Sequence, residues 1–251
     1  NLLLSSIILF VVNAILLFTF EYRYYFKNYH KVNVNMNSYW GETLEILRMC
    51  TVIFLSTYLI NSIYNDPKLV IDDFIENNQL IAGTQRDYNI LFMPTFVLNL
   101  LFILLRPLIT ELSIHWHNSE HLEYSQKIRL VSKQLFLSVI IILVLGFFLG
   151  TPLLSVVFGV NLYSYKVAFL ILLLGGGFNL FAVLIDNLLT IQRKQNYLLL
   201  ATFLTFFISK LIVSPLIKNF AILGASISFT ICMLVYLCSS LIIFYIINLK
   251  K

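Results

Sequence analysis

The sequence predicts an all-α fold, a polytopic transmembrane helical bundle of about seven spans. Three observations lead there. Apolar residues fill 59% of the 251 positions and charged residues only 12%, about half the charge a soluble domain uses to cover its surface. Mean hydropathy is +0.88, and the apolar residues come in long blocks separated by short polar stretches. Finally, Lys and Arg gather in alternate loops between those blocks, the pattern that orients spans in a bilayer.

A helix needs about 20 residues to cross a hydrocarbon layer ~30 Å thick. Seven stretches qualify, at 1–20, 47–64, 88–110, 135–158, 166–192, 197–217 and 221–247. In the first, Asn1 lies inside an apolar run with neither a basic leader nor a small-residue cleavage site, so it reads as a span rather than a signal peptide. We therefore expect further spans upstream of it. The second is the shortest apolar stretch, Met49 to Ile63, and is interrupted by Ser56, Thr57 and Asn61. After it comes an acidic loop, 65–87, with Asp66, Asp72, Asp73, Glu76 and Asp87. Within that loop Leu69, Ile71, Phe74 and Ile75 alternate with acids at helical spacing, which predicts a short amphipathic surface helix over Lys68–Asn78. The stretch 111–134, between the third and fourth spans, is long enough for a second such helix. Tyrosines such as Tyr22, Tyr64, Tyr88, Tyr163 and Tyr197 mark span boundaries.

One set of loops carries Arg23, Lys27, Lys31, Arg48, Lys127, Arg129, Lys133, Arg193, Lys194, Lys250 and Lys251. The opposite set carries Lys68, Arg86, Lys166 and Lys218. Eleven against four, alternating loop by loop, puts the first set in the cytoplasm. The chain is thus expected to be a multi-pass plasma-membrane protein with Asn1 outside and the C-terminus cytoplasmic. The same placement explains the net charge of +5 as a topology signal, so no nucleic acid is expected as a partner.

Several chemistries find no support. There is no GxxxxGK[ST] loop, and no GxGxxG after a strand. Paired carboxylates and Ser-His-Asp or Cys-His sets at useful spacing are lacking too. We expect no enzyme activity and no cofactor. Cys50, Cys232 and Cys238 fall in or beside apolar runs without a CxxC pair, which reads as small buried hydrophobes rather than a disulfide or zinc framework. His115, His117 and His121 include one i,i+4 pair. Without an HExxH motif or a third ligand, the reading is a solvated interfacial patch beside Trp116, and no metal is expected.

Charges inside spans carry the most information. Each costs about 2.5–3.5 kcal/mol at the bilayer centre on insertion scales, so it normally faces a cavity or a partner. Three candidates stand out. Arg106 lies near the cytoplasmic end of its span, before Pro107, from where its stem can also snorkel to the interface. Asp186 lies in the inner half of 166–192, at a depth that allows an ion pair with Arg106 across a cavity. Lys210 is the deepest, and its flanks, Phe206 to Ile208 and Leu211 to Val213, offer no local partner. It can face a water-filled path to an anionic substrate or snorkel. Gly175, Gly176 and Gly177 sit mid-span, as a flexible point in a moving helix or as a face for close helix packing.

The stretch from Phe158 and Gly159 through Tyr163, Tyr165 and the glycine triplet, with the turn Ile191-Gln192-Arg193-Lys194-Gln195 after it, is similar to the C-terminal half of polysaccharide flippases. Ile222-Leu-Gly-Ala-Ser-Ile-Ser resembles that family's entry to its last span. Asn61 to Phe74 and Gly83 to Tyr88 resemble its outer loop after the seventh span. These are oligosaccharide-lipid flippases of the multidrug/oligosaccharidyl-lipid/polysaccharide exporter superfamily. The resemblance implies the C-terminal half of a two-lobed transporter. Residues 1–20 would be the last span of the N-terminal lobe, 21–46 a cytoplasmic inter-lobe linker, and 47–251 a six-span C-terminal lobe. It implies transport of undecaprenyl-diphosphate-linked oligosaccharide from inner to outer leaflet by alternating access, for capsule or exopolysaccharide synthesis. Partners would be the lipid-linked saccharide, membrane lipids and other polysaccharide-assembly proteins. Arg106 and Lys210 would contact the anionic substrate, and Asp186 would couple or pair. Two other readings remain: a drug/cation antiporter of the same superfamily, and a membrane-embedded polymerase or acyltransferase of the polysaccharide pathway.

Overall fold

A computed structural model describes residues 11–13, 15–21, 36–104 and 106–249. The chain divides into two units, Asn1–Leu47 and Arg48–Lys251. Described parts of the first unit are helical, including a π-helical turn at Leu17–Glu21 and the start of a helix at Met36. Most of the expected linker and its basic residues Arg23, Lys27 and Lys31 lie outside the described residues, as do Lys250 and Lys251. The expected first span, 1–20, is described only from Val11 onward, with Ala14 excepted.

The second unit is built from helices, and no strand occurs among the described residues. In chain order these are α1 (Met36–Glu76), α2 (Thr84–Leu104), α3 (Arg106–His117), α4 (His121–Phe158), α5 (Lys166–Ile191) and α6 (Asn196–Leu249). Four stretches of the described residues are long and apolar enough to cross a membrane: Ile46–Glu76, His121–Phe158, Tyr163–Ile191 and Asn196–Asn248. All exceed the roughly 20 residues a crossing needs.

Helix boundaries depart from expectation in two places. The separate surface helix over Lys68–Asn78 does not form, because α1 runs on through Pro67 to Glu76. Its buried face, Ser56, Leu59, Ile63, Asp66, Pro67 and Ile71, repeats every three to four residues across that proline, and this amphipathic stripe keeps the helix going. Residues 121–134 likewise belong to the helix of the next apolar stretch, as the first turns of α4. The expected span 88–110 falls on helical residues of α2 and α3, with Leu105 between them outside the described residues.

Helix α4 widens to a π-helical turn at Gly146–Gly150. Pro152 follows, and a proline disturbs the carbonyl four residues back, here in that turn. The wide turn lies on α5. A Cβ on Gly146 would come within 2.4 Å of Leu173, and one on Gly150 within 2.1 Å of Phe169.

Helix α6 is two arms, 196–220 and 222–249, divided at Ala221, whose φ of 46° and ψ of −123° are not helical. Nested packing shows the second arm folding back along the first: Val213 and Ile217 share a core with Ile222 and Ala225, while Ala201 clusters with Tyr236. Gly224 makes the reversal, since a Cβ there would fall 2.0 Å from the Leu216 carbonyl oxygen.

Helix α5 is the centre of the unit. It packs on α2, α4 and, most extensively, α6. Its glycine triplet faces three neighbours in turn. A Cβ on Gly175 would meet Thr230 at 2.8 Å, one on Gly176 Leu98 at 2.8 Å, and one on Gly177 Val139 at 2.9 Å. Small residues let helices approach closely where lipid supplies no hydrophobic drive. The triplet therefore serves packing, and α5 runs unbroken through it. Across the same seam Thr230 Oγ1 donates to the Ile171 carbonyl at 2.7 Å.

Candidate functional site

Two carboxylates, one buried and one half-buried, organise the polar interior. The first is Asp66, on the inward stripe of α1 and only 3% exposed. Ser209 Oγ, itself fully buried on α6, donates to Asp66 Oδ2 at 2.6 Å. Lys210 Nζ donates to Asp66 Oδ1 at 2.5 Å, with its own side chain 51% exposed. Consecutive residues of one helix thus grip both oxygens of a carboxylate on another. An ammonium has three donors, so two remain for water or a ligand. Phe206, one turn back, presents its ring 5.2 Å from Nζ, within cation–π range. Nearby on α1, Lys68 Nζ lies 4.8 Å from the Phe92 ring and 5.4 Å from Phe96.

Lys210 therefore has a partner after all, distant in sequence rather than local. Asp66 escaped sequence reading because Asn65-Asp66-Pro67-Lys68 looks like the start of a loop. The signal that exposes it is the stripe of Leu59, Ile63 and Ile71, on which Asp66 falls in register. An acid on the apolar face of a span-length helix is a flag for a partner.

The second carboxylate is Asp186, on α5. The Tyr236 hydroxyl, from the second arm of α6, donates to its Oδ2. Ser240, one turn beyond Tyr236, lies beside the same carboxylate, yet its Oγ and Asp186 Oδ1 are buried without a hydrogen-bond partner among the described residues. Asp186 makes no ion pair with Arg106. Arg106 is exposed on α3 and makes no ion pair among the described residues.

Histidines mark the end of the unit near the Arg193 turn. His117 closes α3 and His121 opens α4, with a turn between them, so the i,i+4 spacing does not place them on one helical face. His115 Nδ1 lies 2.6 Å from Glu120 Oε2, and Lys127 pairs with Glu111. No group of three or more potential metal ligands occurs among the described residues. Of the cysteines, Cys232 is buried while Cys50 and Cys238 are exposed, and all three are free thiols.

Of the predicted site residues, the structure brings Lys210 to Asp66, gives Asp186 to Tyr236, leaves Arg106 at the surface and puts the three glycines in the central seam. No family model, curated protein or solved structure matches the chain.

Proposed function

We propose that this chain is a transporter lobe that moves an anionic, lipid-linked oligosaccharide across the plasma membrane, in the manner of the undecaprenyl-diphosphate saccharide flippases. The observation that carries the reading is the Lys210 ammonium. It is held at a fixed place on an apolar helix by buried Asp66 and Ser209, and it keeps half of its surface open. Such a cation can take a phosphate oxygen with its free donors while Asp66 compensates its charge when the site is empty. Bond-making chemistry has no comparable support in the arrangement of side chains.

Seven crossings accompany this reading, with Asn1 outside and the C-terminus cytoplasmic. In support, α6 folds back at Ala221, so one continuous apolar stretch counts as two crossings. Single cysteines at Lys194 and Asn219, tested with an impermeant thiol reagent in a background lacking Cys50, Cys232 and Cys238, should react from opposite faces of the membrane. Reaction from the same face would overturn the topology.

The deciding experiment is lipid-linked oligosaccharide flipping by the whole protein in proteoliposomes. Lys210→Ala should abolish flipping and surface polysaccharide while leaving membrane insertion intact. Normal flipping in that variant would sink the proposal. A drug/cation antiporter is the second reading, favoured by two acids inside the unit, buried Asp66 and half-buried Asp186. There Asp186→Asn would abolish proton-driven efflux and Lys210→Ala would spare it.

A further inference from the structure

Three cavities follow one another at the end of the unit that carries the Arg193 turn, and their chemistry changes in order. The first, about 490 Å³, is lined by Ser113, Trp116, His117, Gln192 and Arg193. Trp116 also lines the second, about 470 Å³, together with His121, Tyr124, Ser125 and Asn248. Ile128 and Phe244 of that cavity continue into a third, an apolar groove of about 200 Å³ between α4, α5 and α6, walled by Phe181, Leu184, Leu188 and Leu241. A cationic pocket thus passes, through an aromatic and hydroxyl-bearing neck, into a hydrocarbon slot.

Two further features point to a ligand. Gln192 is 7% exposed and lines the first cavity. Its Nε2 makes only long contacts, 3.4 Å to Asn248 Oδ1 and 3.5 Å to the Tyr124 hydroxyl, and its Oε1 has no donor among the described residues. A buried acceptor left open calls for a hydroxyl or amine from outside. The nearby acids Glu111 and Glu120 are engaged with Lys127 and His115, and Glu123 is exposed. Arg193, exposed on the turn, is therefore free to meet an anion at the pocket mouth.

We infer that this row of cavities is a binding site for an anionic glycerophospholipid of the bilayer whose headgroup carries free hydroxyls. The phosphate meets Arg193, with His117 beside it, and a headgroup hydroxyl donates to Gln192 Oε1. Trp116 and Tyr124 stand at the headgroup level, and one acyl chain follows Ile128 and Phe244 into the groove. Arg is suited to such a phosphate by its planar fork of donors, and cationic pockets between spans are the usual place for anionic lipid headgroups. A neutral zwitterionic lipid offers the tail but not the net charge or the hydroxyl. The inference does not depend on what the protein transports.

The full chain, reconstituted in nanodiscs of equimolar phosphatidylglycerol and phosphatidylcholine and then partly delipidated, allows the test. Native mass spectrometry should show phosphatidylglycerol retained over phosphatidylcholine by roughly ten-fold, the scale of a charge-assisted hydrogen bond. Arg193→Gln, an exposed turn substitution that leaves packing alone, should bring that ratio close to parity. Ile128→Trp, which fills the neck, should reduce retention of both lipids, and its thermal unfolding midpoint verifies that the bundle is intact. If Ile128→Trp does not fold, the Arg193→Gln ratio decides alone. Equal retention of the two lipids by the native chain would overturn the site, as would an undiminished preference in Arg193→Gln. So would full displacement of phosphatidylglycerol by an equimolar polyprenyl phosphate, which would make the cavity a substrate site instead.

Discussion

Helices α5 and α1 solve the same problem, docking on α6, in opposite ways. Along α5 the backbone itself comes close, because Gly175 leaves room for Phe229 and Thr230. Along α1 long side chains do the reaching. Tyr64 lies 5.6 Å from the Phe229 ring and 6.2 Å from Phe92, and Asp66 takes both Ser209 and Lys210. A glycine seam has no slack, whereas a bridge of side chains can be remade in another rotamer. The seam suits a fixed axis of the unit. The bridge, with its half-open ammonium, suits the proposed contact with a substrate.

That contrast can be broken by substitution, and the seam should suffer most. Gly175→Leu drives a side chain into Phe229 and Thr230, and should cost about 3 kcal/mol by overpacking. Thermal unfolding in detergent would read it, and an unchanged midpoint would mean that the two helices are not in close contact. Asp66→Ala should cost less, about 2 kcal/mol, because it strands the buried Ser209 hydroxyl while the half-exposed Lys210 can turn to water. Asp66→Asn, which keeps an acceptor for Ser209, should recover about half of that. Thr230→Val removes one interhelical hydrogen bond and should cost only about 0.6 kcal/mol, the average for such bonds in membranes. Lys210→Gln sharpens the comparison at its small end. It should shift the midpoint least of all while still abolishing flipping, and a large loss of stability would recast Lys210 as a structural residue.

How far the sequence carries can be seen at particular residues. The stretch 166–192 is recovered as a helix nearly as expected, and 135–158 lies within the longer helix from His121, since long apolar runs have few alternatives to helix in a bilayer. Asp66 is hidden in the sequence because charge and proline are loop signals, although the stripe Leu59-Ile63-Ile71 runs through them. The partnership of Asp186 with Tyr236 was beyond reach, because it joins residues 50 positions apart on helices whose rotation about their axes no local pattern fixes. The same holds for Lys210 and Asp66, separated by 144 positions.

By itself, then, the sequence determined a helical membrane protein, the approximate limits of its apolar helices and the presence of charges that must be accommodated among them. Hydropathy and period are local properties, and the bilayer penalises every alternative to a hydrogen-bonded helix. Tertiary structure alone decided which charges meet, which glycine faces which neighbour, and that Arg106 stands exposed without meeting Asp186. Those outcomes depend on the azimuth and closeness of packed helices. Side-chain fit sets both, across distances in sequence that local patterns do not span.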